Sequence, residues 1–83
     1  MPSNNESHTM TILGEEITVE HRGPNGSGAR IDIEHADGRK WRCLVTGTGK
    51  LDEIETTWRD GQLADLEEPD WLEDVLTQLA RAA

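Results

Sequence analysis

Eighty-three residues make one small domain, and a chain of this size buries only about 60–65% of the surface its unfolded form exposes. Seventeen acids against eight bases leave a net charge of −9, so the basic patch that phosphate contacts need is missing and direct nucleic-acid binding is not expected. No apolar run approaches the ~20 residues of a membrane span. The polar opening residues have neither the basic nor the apolar region of a signal peptide. Cys43 stands alone, which fits a reducing, cytoplasmic setting rather than a disulfide-stapled scaffold.

Residues 1–8 carry no periodicity and are expected to form a disordered arm, followed by a single domain over 9–83. Met10 to His21 alternates. Met10, Ile12, Ile17 and Val19 share one face if Gly14-Glu15 forms a tight type II′ turn, giving strands at about 9–13 and 16–21. That register sets Ile12 opposite Ile17 and Met10 opposite Val19; a single bent strand is the alternative. Arg22-Gly23-Pro24-Asn25-Gly26-Ser27-Gly28 is too rich in glycine and proline for regular structure and reads as a mobile connection.

The next stretch organises the chain. Strands at about 29–35 and 39–46 form a hairpin around Asp37-Gly38, for which two registers compete. A two-residue loop would place Asp32 opposite Cys43 and Glu34 opposite Trp41, setting acids against apolar groups. A three-residue loop, Ala36-Asp37-Gly38, with Gly38 left-handed as a bulge, instead pairs Ile33 with Trp41, Ile31 with Cys43 and Ala29 with Val45. On the other face it pairs Asp32 with Arg42 and Glu34 with Lys40. Matching apolar with apolar and acid with base favours the bulged register, each good pair contributing about 0.2–1 kcal/mol.

Thr46-Gly47-Thr48-Gly49-Lys50 superficially suggests a phosphate loop. One residue separates its glycines where the motif needs four, and Leu51 follows the lysine in place of Ser or Thr. It is a turn. Alternation resumes over about 52–59, with Ile54, Thr56 and Trp58 on one side, so that Trp58 should lie near Trp41. Residues 62–68 form a connection with room for a helical turn around Leu63 and Leu66. The last element is a helix at about 69–82: Pro69 suits its first position, acids crowd its positive end, and Arg81 sits at its negative end. Trp71, Leu72, Val75, Leu76 and Leu79 form its apolar stripe. A one-faced sheet and an amphipathic helix each need a cover, and each covers the other. The fold class is therefore α+β, a four- or five-stranded antiparallel meander with one C-terminal helix across its apolar face, and at least two of the three tryptophans belong in the core.

Chemistry-bearing residues are few. His21, His35 and Cys43 are the candidate metal ligands, but no close ligand pair supports them, and Cys43 reads better as a small core residue. The serines (Ser3, Ser7, Ser27) fall in the arm and the glycine-rich connection, so no nucleophile with an adjacent base is evident and no cofactor is indicated. A candidate interaction surface is the sheet's outer face, with Leu44 exposed among Arg30, Arg42 and several acids. The sheet edges are open to a second copy, through which the chain can form a homodimer.

The acids are spread along the whole chain, and of the bases six are Arg and two Lys. Three explanations stand: adaptation to a salty cytoplasm, a surface made for a basic partner, or an ordinary acidic protein. The expected role is a non-catalytic protein-interaction or adaptor module of a halophilic type of cytoplasm. The alternatives are an acidic inhibitor or antitoxin-like protein occupying a basic nucleic-acid-binding surface, and a small enzyme.

Overall fold

The computed structural model describes residues 7–82. The strands are β1 (Ser7–Ile12), β2 (Glu15–Asn25), β3 (Gly28–His35), β4 (Arg39–Val45), β5 (Leu51–Arg59) and β6 (Gln62–Leu63), and the helix is α1 (Leu72–Ala82). They form one antiparallel sheet in the order β1-β2-β3-β4-β5-β6, a plain meander. The α+β architecture expected from the periodicities is what the chain forms, with the two-residue β6 as an added strand. Of the expected N-terminal arm, residues 1–6 lie outside the described residues, while Ser7 and His8 open β1.

The central hairpin adopts the bulged register: Ala29 faces Val45, Ile31 faces Cys43, Ile33 faces Trp41, Asp32 faces Arg42 and Glu34 faces Lys40. Gly38 has φ +102° and closes the turn with its N–H on the His35 carbonyl at 3.0 Å. A β-carbon there would also push the Asp60 carboxylate aside, but it is the left-handed dihedral that calls for glycine.

Three expectations about the strands are corrected. The β1–β2 turn is Leu13-Gly14, not Gly14-Glu15: Met10 faces Ile17 and Ile12 faces Glu15. Leu13 and Gly14 have φ of 52° and 80°, the all-positive pattern of a type I′ turn, whose twist suits a two-residue hairpin. The face assignment survives, because moving a hairpin turn by one residue shifts cross-strand partners by two.

The glycine-rich stretch after Arg22 is strand, not a mobile connection. A bulge between His21 and Gly23 absorbs Arg22, after which Gly23, Pro24 and Asn25 pair with Arg30, Ala29 and Gly28 around a Gly26-Ser27 turn. Pro24 is tolerated because, among the described residues, β3 alone flanks β2 at that point.

The third correction matters most. β5 carries two bulges against β4, skipping Glu55 and Asp52, so Cys43 faces Ile54 and Val45 faces Leu51, while Lys40 faces Trp58. The first bulge reverses the parity of the strand. Trp58 therefore lies on the outer face, away from Trp41. Leu63 and Leu66 belong to no helical turn: Asp60-Gly61 turns the chain into β6, and residues 64–69, without regular structure, pass along the inner face of the sheet. Thr57, which faces Trp41, fastens this strap by donating its hydroxyl to the Ala64 carbonyl and accepting from the Leu66 N–H at 3.3 Å. The Trp41 indole N–H donates to the Glu67 carbonyl at 3.1 Å.

The strap delivers α1 to the inner face. A turn at Pro69, with the Leu72 N–H on the Pro69 carbonyl, precedes the helix, which starts at Leu72 rather than at 69. Ile17, Val19, Ile31, Ile33, Trp41 and Cys43 from the sheet and Trp71, Leu72, Val75 and Leu76 from the helix side are buried together. Trp71 meets Trp41 edge-on at 5.3 Å between ring centroids, a favoured geometry, so two of the three tryptophans do fill the core.

Candidate interaction surface

The inner face is consumed by packing, and its polar residues are accounted for within it. His35 is buried against Trp71. Its Nδ1 accepts the Asp37 N–H at 2.9 Å, which places the proton of the neutral ring on Nε2, 2.8 Å from the Glu15 carboxylate it donates to. Both ring nitrogens are thereby engaged in tying the β3–β4 turn to β2. Cys43 is fully buried, and burial first, then the carboxylates of Asp32, Glu68 and Glu55, push its thiol up to about 12. It is a core residue and no nucleophile at neutral pH.

The candidate metal trio does not converge. His21 and Cys43 both face Ile31 from opposite sides, leaving a whole strand between them. His35 lies four residues further along β3, roughly 13 Å at the rise of an extended strand. Among the described residues no group of three or more His, Cys, Asp or Glu side chains could hold a metal ion. His21 instead helps line an apolar groove of about 520 Å³ where the sheet and the C-terminal half of α1 diverge, walled by Val19, Ile31, Val45, Leu76 and Leu79.

The outer face is different, because its centre is an ion-pair network built on a buried carboxylate. Asp32 is 2% exposed and accepts two bonds from Arg42, Nε at 2.7 Å and Nη2 at 3.0 Å. Lys40 Nζ stands 3.5 Å and Arg22 Nε 3.7 Å from its second oxygen. Burial alone would raise the Asp32 pKa. The Arg42 hydrogen bonds and the charges of Arg42, Lys40 and Arg22 outweigh it and hold the carboxyl below the usual range. The same bonds raise the Arg42 guanidinium further. Trp58 lies beside this centre, with Lys40 Nζ 5.3 Å and the Arg42 guanidinium 5.1 Å from its ring. Arg30 grips Glu55 through two nitrogens, at 2.7 and 3.3 Å, which lowers the Glu55 pKa and raises that of Arg30.

Arg30, Arg42 and Leu44 do share this face, Arg30 opposite Leu44 and Arg42 opposite Asp32. Both arginines are held by carboxylates of their own chain. Residue patterns missed Trp58 and Arg22 as members of the surface, and Leu63, 76% exposed opposite Trp58. The bulge that turns Trp58 outward skips Glu55, between Ile54 and Thr56, and no residue spacing in the sequence marks it.

No match emerges. The chain matches no family model, no curated protein and no solved structure. The surface is thus read on its chemistry. It is a preorganised plate in which Arg22, Lys40 and Arg42 gather on Asp32, Arg30 is held by Glu55, and Lys40 and Arg42 flank the Trp58 ring. The opposite character is found along residues 65–74, where Asp65, Glu67, Glu68, Asp70, Glu73 and Asp74 are all exposed and no base intervenes.

Proposed function

We propose that this protein is a non-catalytic interaction module that holds a partner protein on the outer face of its sheet. The observation that carries the reading is the pair of cations, Lys40 and Arg42, held over the Trp58 ring on the outer face of a chain of net charge −9. If the acidic composition is an adaptation to a salty cytoplasm, its neighbours share that composition. The place where two cations flank an aromatic ring is then where an acidic partner docks. The ionisable groups with shifted pKa values support the same reading. Asp32, Arg42, Arg30, Glu55 and Asp37 are each spent on an ion pair, and Cys43 is sealed in the core, so none is poised for acid–base or nucleophilic work. The partner is a protein surface carrying carboxylates beside an apolar side chain that can cover Trp58, Leu44 and Leu63.

A second reading is favoured by one observation, the uninterrupted acidic tract over residues 65–74, which suits an inhibitor that occupies a basic nucleic-acid-binding surface. Photo-cross-linking in the native cytoplasm separates the two. A photoreactive side chain at Leu44 should give one major adduct that disappears in Trp58→Ala, with none from the same probe at Asp74. An adduct from Asp74 alone, to a basic nucleic-acid-binding protein, establishes the inhibitor reading instead. No adduct from either position overturns both.

A further inference from the structure

We propose that two copies of this chain pair antiparallel through β1, joining their sheets edge to edge across a twofold axis. The inference is independent of the outer-face reading, since it concerns an edge of the sheet and not its face.

The two edges of the meander are built differently. β5, at one edge, is bent by two bulges, carries Asp52, Glu53 and Glu55, and is partly covered by β6 and the strap that follows. Bulges, charges and covering chain are the devices that keep an edge strand from recruiting another. Among the described residues β1, at the other edge, has none of them. Its six residues pair with β2 without a bulge, and they contain neither proline nor a charged side chain. Ser7–Gly14 is the longest stretch without Asp, Glu, Lys or Arg in the entire sequence. Alternation along β1 turns the backbone N–H and C=O of every second residue away from β2, toward the open edge.

Charge selects the occupant. A basic partner would seek the acidic surface that the rest of the chain offers, not its one neutral line. Two copies of a −9 chain, by contrast, can approach closely only where neither presents charge.

Leu13 supplies an independent observation at the same edge. It is 79% exposed and sits at φ 52° in the β1–β2 turn, where Asn or Gly is the ordinary occupant. A branched apolar residue there is strained and wet in the single chain. An antiparallel pairing centred on Met10 sets Met10 opposite its copy, Thr9 opposite Thr11, His8 opposite Ile12, and Leu13 opposite Ser7 of the second copy. This register keeps the apolar faces of both sheets on one side, and it covers Leu13. Slipping it by one residue would oppose Thr9 to Met10 and mix the faces. The pairing is isologous and closes on itself.

Light scattering from low salt to molar KCl tests it. The native chain should reach twice its 9.3 kDa mass, more readily as salt screens the repulsion between copies. Thr9→Lys with Thr11→Lys, both exposed positions, should return the single-chain mass with unchanged circular dichroism, because the new ammonium groups of the two copies face each other. Leu13→Asn should weaken the dimer at least tenfold while the melting temperature of the single chain holds or rises, a combination that a purely structural Leu13 would not give. Glu53→Lys, on the far edge, should leave the mass unchanged. A single-chain mass for the native protein at every salt concentration overturns the proposal. So does a dimer that survives the double lysine or is lost in Glu53→Lys.

Discussion

Replacing Asp32 with Asn removes one charge from the centre of the outer face while keeping its shape. In the native chain the carboxylate is almost wholly buried and accepts two charge-assisted bonds from Arg42. Breaking a fully buried ion pair from one side costs about 3–5 kcal/mol. Here the Arg42 side chain is 29% exposed, and Lys40 and Arg22 reach water more easily still, so the stranded cations recover part of their hydration. The amide also keeps one acceptor. The expected loss is therefore about 2–3 kcal/mol at neutral pH, the scale of hydrogen bonds to charged groups. In a domain of this size that lowers the melting temperature by roughly 10–20 °C.

The pH dependence carries the sharper signature. The folded-state pKa of Asp32 lies below its unfolded value. Its contribution is therefore complete above the unfolded carboxylate range, about pH 4, and is lost as pH falls through the folded value. Asn cannot titrate, so denaturant curves of the two proteins should differ most at pH 7 and converge in strong acid. A deficit below half a kcal/mol at neutral pH, or one that stays constant down to pH 2, would refute the assignment of Asp32 as the charged keystone of this face.

Other positions test the fold beneath it. Leu76→Ala, in the buried stripe of α1, should cost about 2–5 kcal/mol by denaturant titration, and an effect under half a kcal/mol would contradict helix-on-sheet packing. Gly38→Val combines a left-handed dihedral with a collision against Asp60, so its melting temperature should fall sharply. An unchanged value would remove the bulged hairpin. Cys43 should resist a thiol reagent at pH 8 in the folded protein and react on unfolding, because burial both shields it and holds it protonated. Rapid labelling of the native chain would contradict its place in the core.

What the sequence made legible, and what it hid, follows from how many residues each decision involves. The β3–β4 register was readable because five cross-strand pairs vote together: apolar with apolar at three, acid with base at two. The helix stripe was readable for the same reason, since Trp71, Leu72, Val75, Leu76 and Leu79 repeat one period. The bulges in β2 and β5 were not. Each turns on a single inserted residue, Arg22, Asp52 or Glu55, whose placement is settled by the neighbouring strand rather than by local propensity. The fate of Trp58 depended on one of them, so a ring expected in the core came to lie on the outer face beside the Asp32 network. Arg30, Arg42 and Leu44 were placed correctly because the central hairpin fixes their parity. Lys40 was placed there too, but its meaning emerged only once Trp58 was beside it. The Asp32 network was half visible: pairing predicted Arg42, whereas Arg22 arrives through the β2 bulge.

The measurement that bears most directly on the account is thermal unfolding followed by circular dichroism from low salt to several molar KCl. If the scattered carboxylates serve life in salt, the outer face is left as the working surface. Self-repulsion among seventeen acids should then destabilise the fold at low ionic strength and be screened as the Debye length falls to about 3 Å at 1 M. The melting temperature should rise steadily with KCl. A melting temperature that is high at low salt and flat or falling as KCl increases would contradict the account, and would return the acidic surface, residues 65–74 first, to the role of a binding site.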